Sequence, residues 1–339
     1  MPWSDPAVLL GVGLVAAVVS ASGAAWALGH ARRHGLIDVP GERRSHQVDT
    51  PRGGGIGIVI ACLVCLLAMA WQAIDDQATD DIGWWLVAAG LALVAGIGWL
   101  DDHRALPAWP RLGVHAVAAI LLAVSLYLGG ASPAICVVGF VLAIGLVNAW
   151  NFMDGINGLA TSQALLCGLA FALLPGFAAP VLGVAVAGAC LGFLPFNFPR
   201  ARAFLGDIGS GALGYLIAVM IVIGATSSSV RNWPLLLLAP LVMLVDSSLT
   251  LLWRMHRRDR WWQPHTQHAF QRWSRSEGHA SVTLSYGLWT MIMIGVMLSA
   301  WGRPGNKGVV AFLACMTAAA LGWRWLHRRY ARKTEGFGS

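Results

Sequence analysis

The sequence predicts an all-α, polytopic integral membrane protein of about eleven transmembrane helices, with its N-terminus outside and its C-terminus cytoplasmic. Three observations predict it. Of 339 residues, 57% are hydrophobic and only 12% charged, about half the charged fraction of an ordinary soluble domain. Polar breaks divide the chain into eleven apolar segments, near 7–29, 53–73, 83–100, 111–128, 133–150, 161–174, 178–196, 209–226, 234–253, 280–299 and 308–325. Roughly 20 such residues in a helix cross ~30 Å of hydrocarbon. The third observation is charge sidedness. With the N-terminus outside, all but Arg231, Arg303 and Lys307 of the 23 basic residues fall on the inner side, while Asp75, Asp76, Asp80 and Asp81 fall outside. The positive-inside rule therefore sets the orientation.

The residues ahead of the first apolar run hold Asp5 and no Lys or Arg, which predicts a retained first span rather than a cleaved signal. All six cysteines lie in apolar runs, as small packing residues do, so the Cys62-x-x-Cys65 spacing predicts neither a disulfide nor a metal site. Tryptophans gather at span ends, among them Trp84, Trp85, Trp109, Trp253, Trp261, Trp262 and Trp301, as interfacial anchors do. The net charge of +7 raises nucleic acid as a partner, but the placement of the charges points to the bilayer instead. With no internal repeat, residues 1–339 read as a single domain with cytoplasmic loops near 30–52, 101–110, 151–160, 197–209 and 254–279.

Those loops carry polar residues that a purely structural membrane protein does not need. The first runs from Asp38 through Arg43, Arg44 and His46 to Pro51-Arg52-Gly53-Gly54-Gly55. The second is Asp101-Asp102-His103-Arg104, and the third runs Asn148-Ala-Trp-Asn151-Phe-Met-Asp154-Gly-Ile-Asn157-Gly158. The fourth contains Arg200, Arg202 and Gly206-Asp207-Ile-Gly209-Ser210, and the fifth holds His265, His268, Gln271 and Arg272. Adjacent carboxylates at a membrane surface repel and are desolvated, so a bound cation would explain Asp101 and Asp102. Oxygen ligands without cysteine suit Mg²⁺, with Mn²⁺ as a substitute. Arginines around a metal imply a diphosphate substrate. Several of these residues have plainer explanations. The arginines also obey the positive-inside rule, Asp-Gly and Asn-Gly are turn dipeptides, and Asp207 or Ser210 could cap a helix. The His265/His268 pair has no third soft ligand for zinc. Asp246 lies inside the ninth segment, so it is either a functional carboxylate or the partner of a polar group on another helix.

Taken together, these five segments resemble the loops of the polyprenyl-phosphate N-acetylhexosamine-1-phosphate transferase superfamily, glycosyltransferase family 4. The match runs from about residue 36 to 273: Arg43/His46/Pro51/Arg52/Gly53/Gly54, Asp101/Asp102, Asn151 to Gly155, Gly206 to Ser210, and His268. The resemblance implies transfer of an N-acetylhexosamine 1-phosphate from a UDP-sugar to undecaprenyl phosphate, releasing UMP and starting a lipid-linked surface glycan. It implies catalytic roles for Asp101, Asp102, Asp154 and Asp207, with Asp102 and Asp207 toward Mg²⁺. It places Arg43, His46, Arg52, Asn148, Asn151, Asn157, His268 and Arg272 at the substrates. Many relatives have aspartate where this chain has Asn157. The last loop looks like the O-antigen-initiating branch of lipopolysaccharide synthesis, which uses N-acetylated 6-deoxyhexosamines such as FucNAc or QuiNAc. GlcNAc-1-phosphate and phospho-MurNAc-pentapeptide transfer are the alternatives within the family. The resemblance also implies a bacterial inner-membrane enzyme with a cytoplasmic site, and it allows a homodimer. Either direct displacement or a phospho-aspartate path fits. A secondary transporter for an anionic solute is the rival class, but Asp246 is the only clear intramembrane charge.

Overall fold

The computed structural model describes residues 5–38, 50–75, 81–226, 232–259, 265–303 and 306–335. Arg43 and His46, with Arg260, Trp261 and Trp262, lie outside the described residues. The elements in chain order are α1 (Pro6–His34), β1 (Ile37–Asp38), β2 (Thr50–Pro51), α2 (Ile56–Asp75), α3 (Asp81–His103), α4 (Ala108–Leu128), α5 (Pro133–Met153), α6 (Leu159–Ala172) and α7 (Pro180–Asn197). They continue with α8 (Gly206–Thr226), a 3-10 turn (Trp233–Leu238), α9 (Leu241–His256), α10 (Ala269–Glu277), α11 (His279–Ala300) and α12 (Lys307–Glu335). Helices thus dominate an all-α, polytopic membrane protein. The two strands form only a two-residue antiparallel bridge, with Ile37 opposite Pro51 and Asp38 opposite Thr50.

Among the described residues, nine helices are long and apolar enough to cross a membrane. The two remaining apolar segments are shorter as helices than their hydropathy suggests. Segment 161–174 forms the 14-residue α6, only ~21 Å at 1.5 Å per residue. Segment 234–253 is broken at Ala239 and Pro240 into the 3-10 turn and the 16-residue α9. The basic loop also contains an element that its polarity hides, the nine-residue α10.

Helix ends follow local chemistry. Asp5 caps α1 by accepting the Ala7 N–H at 2.7 Å, Pro6 occupies the first turn, and Gly35 ends the helix at φ 69°, a left-handed C-cap that glycine adopts without cost. Ser132 and Pro133 start α5 in the same manner.

Lipid tails are as apolar as leucine, so helices in a membrane associate through close backbone packing at small residues. α1 and α7 meet this way. A Cβ added at Gly188 would stand 2.3 Å from the Gly13 carbonyl oxygen, and one at Gly192 would stand 2.1 Å from that of Ala17. α8 is buried along nearly all its length, whereas α12 is almost wholly peripheral. The core therefore surrounds α8, whose first turn carries Asp207. Gly192→Ala should destabilise the detergent-solubilised protein by about 1–3 kcal/mol through overpacking. Gly145→Ala, which meets nothing within 4 Å, should leave the thermal midpoint unchanged or higher. Equal midpoints for the two variants would contradict this account of the α1–α7 contact.

Candidate active site

The ends of α1, α3, α5 and α7 and the starts of α2, α8, α10 and α11 gather at one end of the bundle, around a cavity of about 200 Å³. Its walls include Asp38, Arg52, Asp102, Asp154, Asn157, Asn197, Gly206, Asp207, Gln271, Arg275 and His279. All five motif segments therefore reach one site.

Backbone pairing joins the first and fourth segments. Gly54 and Gly55 N–H donate to the carbonyls of Phe204 and Leu205, each at 2.9 Å, and Phe204 N–H donates to Pro51 at 2.8 Å. Such an approach leaves no room for side chains, since a Cβ on Gly55 would stand 2.5 Å from Gly209 Cα. The Arg-Gly-Gly-Gly run is thus a packing device that delivers Arg52 to the cavity, where it pairs with Asp38 at 2.9 Å.

The two carboxylates at the end of α3 have different tasks. Asp102 reaches the start of α8, its Oδ1 accepting the Asp207 N–H at 3.0 Å and its Oδ2 the Ile208 N–H at 3.2 Å. It caps the helix from outside, where the helix dipole favours a negative charge. Gly206 enters that turn at φ 76°, and a Cβ there would strike Asp102 Oδ2 at 2.5 Å, so glycine is required. Asp101 turns away from the cavity lining. Its Oδ1 accepts the Leu106 N–H at 2.6 Å and its Oδ2 pairs with Arg111.

Arg111 links three segments. Besides Asp101 it pairs with Asp207 Oδ2 at 3.2 Å and donates to Asn151 Oδ1 at 3.2 Å, while Asn151 Nδ2 donates to Ser210 Oγ at 3.2 Å. The Asp101 and Asp207 carboxyls lie in hydrogen-bonding reach of each other, and the guanidinium compensates their charge. The sequence shows Arg111 only as one inner-side arginine among many. Its signal, a cation nine residues past the aspartate pair on the next helix, needs the α3–α4 turn to be seen.

Asp154 ends α5 and faces the cavity. Burial, with the Asp102 charge nearby, pushes its carboxyl up to about 7, against a smaller opposing pull from Arg52. Asn157 lines the cavity, held by its amide to the Pro199 carbonyl at 3.0 Å and by its own carbonyl to Thr283 at 2.8 Å. Asn197 is occupied structurally, accepting the Gly158 N–H at 2.9 Å and donating to the Ala203 carbonyl at 3.0 Å.

Other expected residues lie off the cavity wall. Asn148 donates to Ile144 within its own helix at 2.8 Å. His268 is buried, in stacking contact with Phe152 and with His265, and Arg272 lies 5.5 Å over the Trp253 ring. The wall of this loop is instead Thr266, Gln271 and Arg275. Burial, with His268 and Arg254 nearby, pushes His265 down to about 4, so it is neutral near pH 7.

Among the described residues no three His, Cys, Asp or Glu side chains cluster as a protein-only metal site requires. Mg²⁺ asks for less, one or two carboxylates completed by water and substrate phosphates. Asp102, Asp154 and Asp207 on one cavity, with no sulfur lining it, fit that pattern.

Residues 84–225 match the family model described as glycosyl transferase family 4. A decaprenyl-phosphate N-acetylglucosaminephosphotransferase of Mycolicibacterium smegmatis is 28% identical over 91% of this chain and 86% of its own length. A phospho-N-acetylmuramoyl-pentapeptide-transferase of Synechococcus sp. is 32% identical over 58% of this chain and 67% of its own. A probable undecaprenyl-phosphate N-acetylglucosaminyl 1-phosphate transferase of Bacillus subtilis is 29% identical over 57% of each. With the site described above, these likenesses define a membrane-embedded enzyme of the sugar-phosphate transferase class. The chain belongs to glycosyl transferase family 4, the superfamily of polyprenyl-phosphate N-acetylhexosamine-1-phosphate transferases.

The raised Asp154 group has a consequence for stability. A carboxyl near its ordinary value when unfolded and near 7 when folded favours the native state fully at low pH, and that contribution is lost as pH rises through 7. Asp154→Asn should therefore match wild type near pH 4 and gain thermal midpoint relative to it up to about pH 7, without metal. A difference that is flat with pH would contradict the buried position of this carboxyl.

Proposed function

We propose that this enzyme transfers an N-acetylhexosamine 1-phosphate from a UDP-sugar to undecaprenyl phosphate at the cytoplasmic face of a bacterial inner membrane, beginning a lipid-linked surface glycan. The observation that carries this is that one cavity is lined by Asp102, Asp154 and Asp207 and by Arg52 and Arg275, at the basic end of a helix bundle. A soluble diphosphate enters such a cavity from water, while the bundle flank offers an apolar path to the lipid.

A phosphate oxygen of the lipid attacks the donor's β-phosphorus in line. The new phosphorus–oxygen bond forms as the bond to the bridging oxygen breaks, and UMP departs with that oxygen. Arg52 and Arg275 hold phosphate oxygens, which guanidinium groups grip in bidentate fashion. Asp207, with Asp102 behind it, would hold Mg²⁺, which would supply charge neutralisation for the donor diphosphate. Arg111 fixes the direction of the Asp207 carboxylate, and Asp102 fixes the helix turn on which it stands. Because Asp102 has both oxygens on backbone amides and Asp101 is paired with Arg111, direct displacement is favoured over a phospho-aspartate at either. Asn157 contributes positioning rather than charge.

Two donors are supported by different observations. The His265–Arg272 loop resembles the branch that uses N-acetylated 6-deoxyhexosamines, whereas the names of relatives aligned over 91% and 57% of the chain favour N-acetylglucosamine. Purified enzyme with radiolabelled UDP-GlcNAc, UDP-GalNAc, UDP-FucNAc and UDP-QuiNAc, undecaprenyl phosphate and Mg²⁺ should give organic-extractable label from at least one donor. Asp207→Ala should lower that rate by about 100-fold or more, the scale of losing a preorganised electrostatic group. No label from any donor would sink the proposal.

A further inference from the structure

Asp246 stands in the second turn of α9, only 2% exposed, on a helix that also buries Leu241, Met243 and Val245. A buried carboxylate is costly unless its oxygens are satisfied. Here both are. Oδ1 accepts the Ala269 N–H at 2.9 Å and the Thr250 hydroxyl at 3.1 Å, and Oδ2 accepts the Phe270 N–H at 3.0 Å and the Tyr286 hydroxyl at 2.8 Å. His268 Nδ1, at 3.8 Å, is too far for a hydrogen bond.

Ala269 and Phe270 are the first two residues of α10. The carboxylate therefore caps α10 from a neighbouring helix, at the end where the helix dipole favours negative charge. Tyr286 adds α11 to the same carboxylate, and Trp323 of α12 donates to Thr250 at 3.2 Å. One buried group thus joins four helices around the start of α10. α10 is amphipathic in a useful way. Phe270 is buried against Gly155 of the cavity wall, while Gln271 and Arg275, four residues apart and so on one helix face, line the cavity. Gln271 also accepts the His268 N–H at 3.3 Å, closing the first turn. No described carboxylate lies within ion-pair distance of Arg275, so its guanidinium can serve an incoming anion.

We propose that Asp246 is a positioning residue for the transfer reaction: by capping α10 from α9 it sets where Gln271 and Arg275 face the donor's diphosphate. The proposal rests on the transferase function proposed above. Asp246 touches no substrate and acts only through α10.

The test uses the full-length enzyme in membranes or detergent, as wild type and as Asp246→Asn, whose amide can no longer accept at both oxygens. Hydrogen exchange of the α10 backbone amides should quicken about tenfold in the variant, while that of α5 and α8 stays unchanged. With whichever donor the wild type uses, the donor KM should rise about tenfold and the acceptor KM should move less than twofold. The rise should nearly vanish in an Arg275→Ala background, because the two substitutions act through one helix face. If Asp246→Asn fails to accumulate, Tyr286→Phe removes one of the four bonds and should show the same donor-selective pattern at about two- to threefold. Unchanged exchange in α10, equal effects on donor and acceptor, or fully additive penalties with Arg275→Ala would each overturn the proposal. A wild type inactive with every donor would refute the transferase function instead, leaving the exchange experiment to judge the cap.

Discussion

The site depends on a carboxylate laid across the first turn of a helix. Asp102, at the end of α3, accepts the N–H groups of Asp207 and Ile208, two of the orphan donors that every helix start exposes. At the edge of a membrane these donors could not be left bare, and a charged acceptor makes hydrogen bonds about twice as strong as neutral ones. The contact fixes the start of α8 against the end of α3, and α8 is the helix around which the rest of the bundle packs. The direction in which Asp207 projects follows from it.

The neighbouring groups make sense as consequences. Once Asp102 is committed to α8, the charge of Asp207 and Asp101 needs an answer, and Arg111 supplies it from α4. The glycines at 55, 206 and 209 let the run before α2 and the start of α8 approach more closely than any side chain allows. Asp154, set in the same cavity with no ion-pair partner among the described residues, is pushed up to about 7 by burial. The cavity thus combines several carboxylates with two arginines in its lining, an arrangement suited to a diphosphate and a hard cation together. Asp246 repeats the device at α10. α8 and α10, two of the helices that present polar groups to the cavity, each begin on a carboxylate lent by another helix.

Much of this was legible in the sequence, and the boundary has a physical explanation. Hydropathy and basic sidedness are local properties, so nine of the apolar segments form helices long enough to span, and the five polar segments meet at one end. α6 and α9 fell short because apolar composition does not reveal where Pro240 or a loop ends a helix. Asp101, Asp102, Asp154 and Asp207 could be selected by motif, but the split between the first two could not. It depends on which carboxylate faces α8, a matter of helix rotation. Arg111, Gln271 and Arg275 were hidden for a related reason. A lone arginine or glutamine in a basic segment has no local signature, and only the packing of α4 on α3 and of α10 on α9, α11 and α12 gives it a role. His268 stood out by residue type, yet it is turned inward at the start of α10, which presents Gln271 and Arg275 to the cavity.

The claim on which the account turns is that the Asp102 carboxylate, rather than solvent or substrate, holds the amides of Asp207 and Ile208. Selective isotope labelling of aspartate and isoleucine in the purified, ligand-free enzyme permits those two amides to be followed by NMR. The account predicts that both exchange slowly with solvent in the wild type, and that both lose protection by about tenfold or more in Asp102→Ala while amides in the middle of α8 do not. Fast exchange at Asp207 and Ile208 in the wild type, or protection unaltered by the substitution, would contradict it.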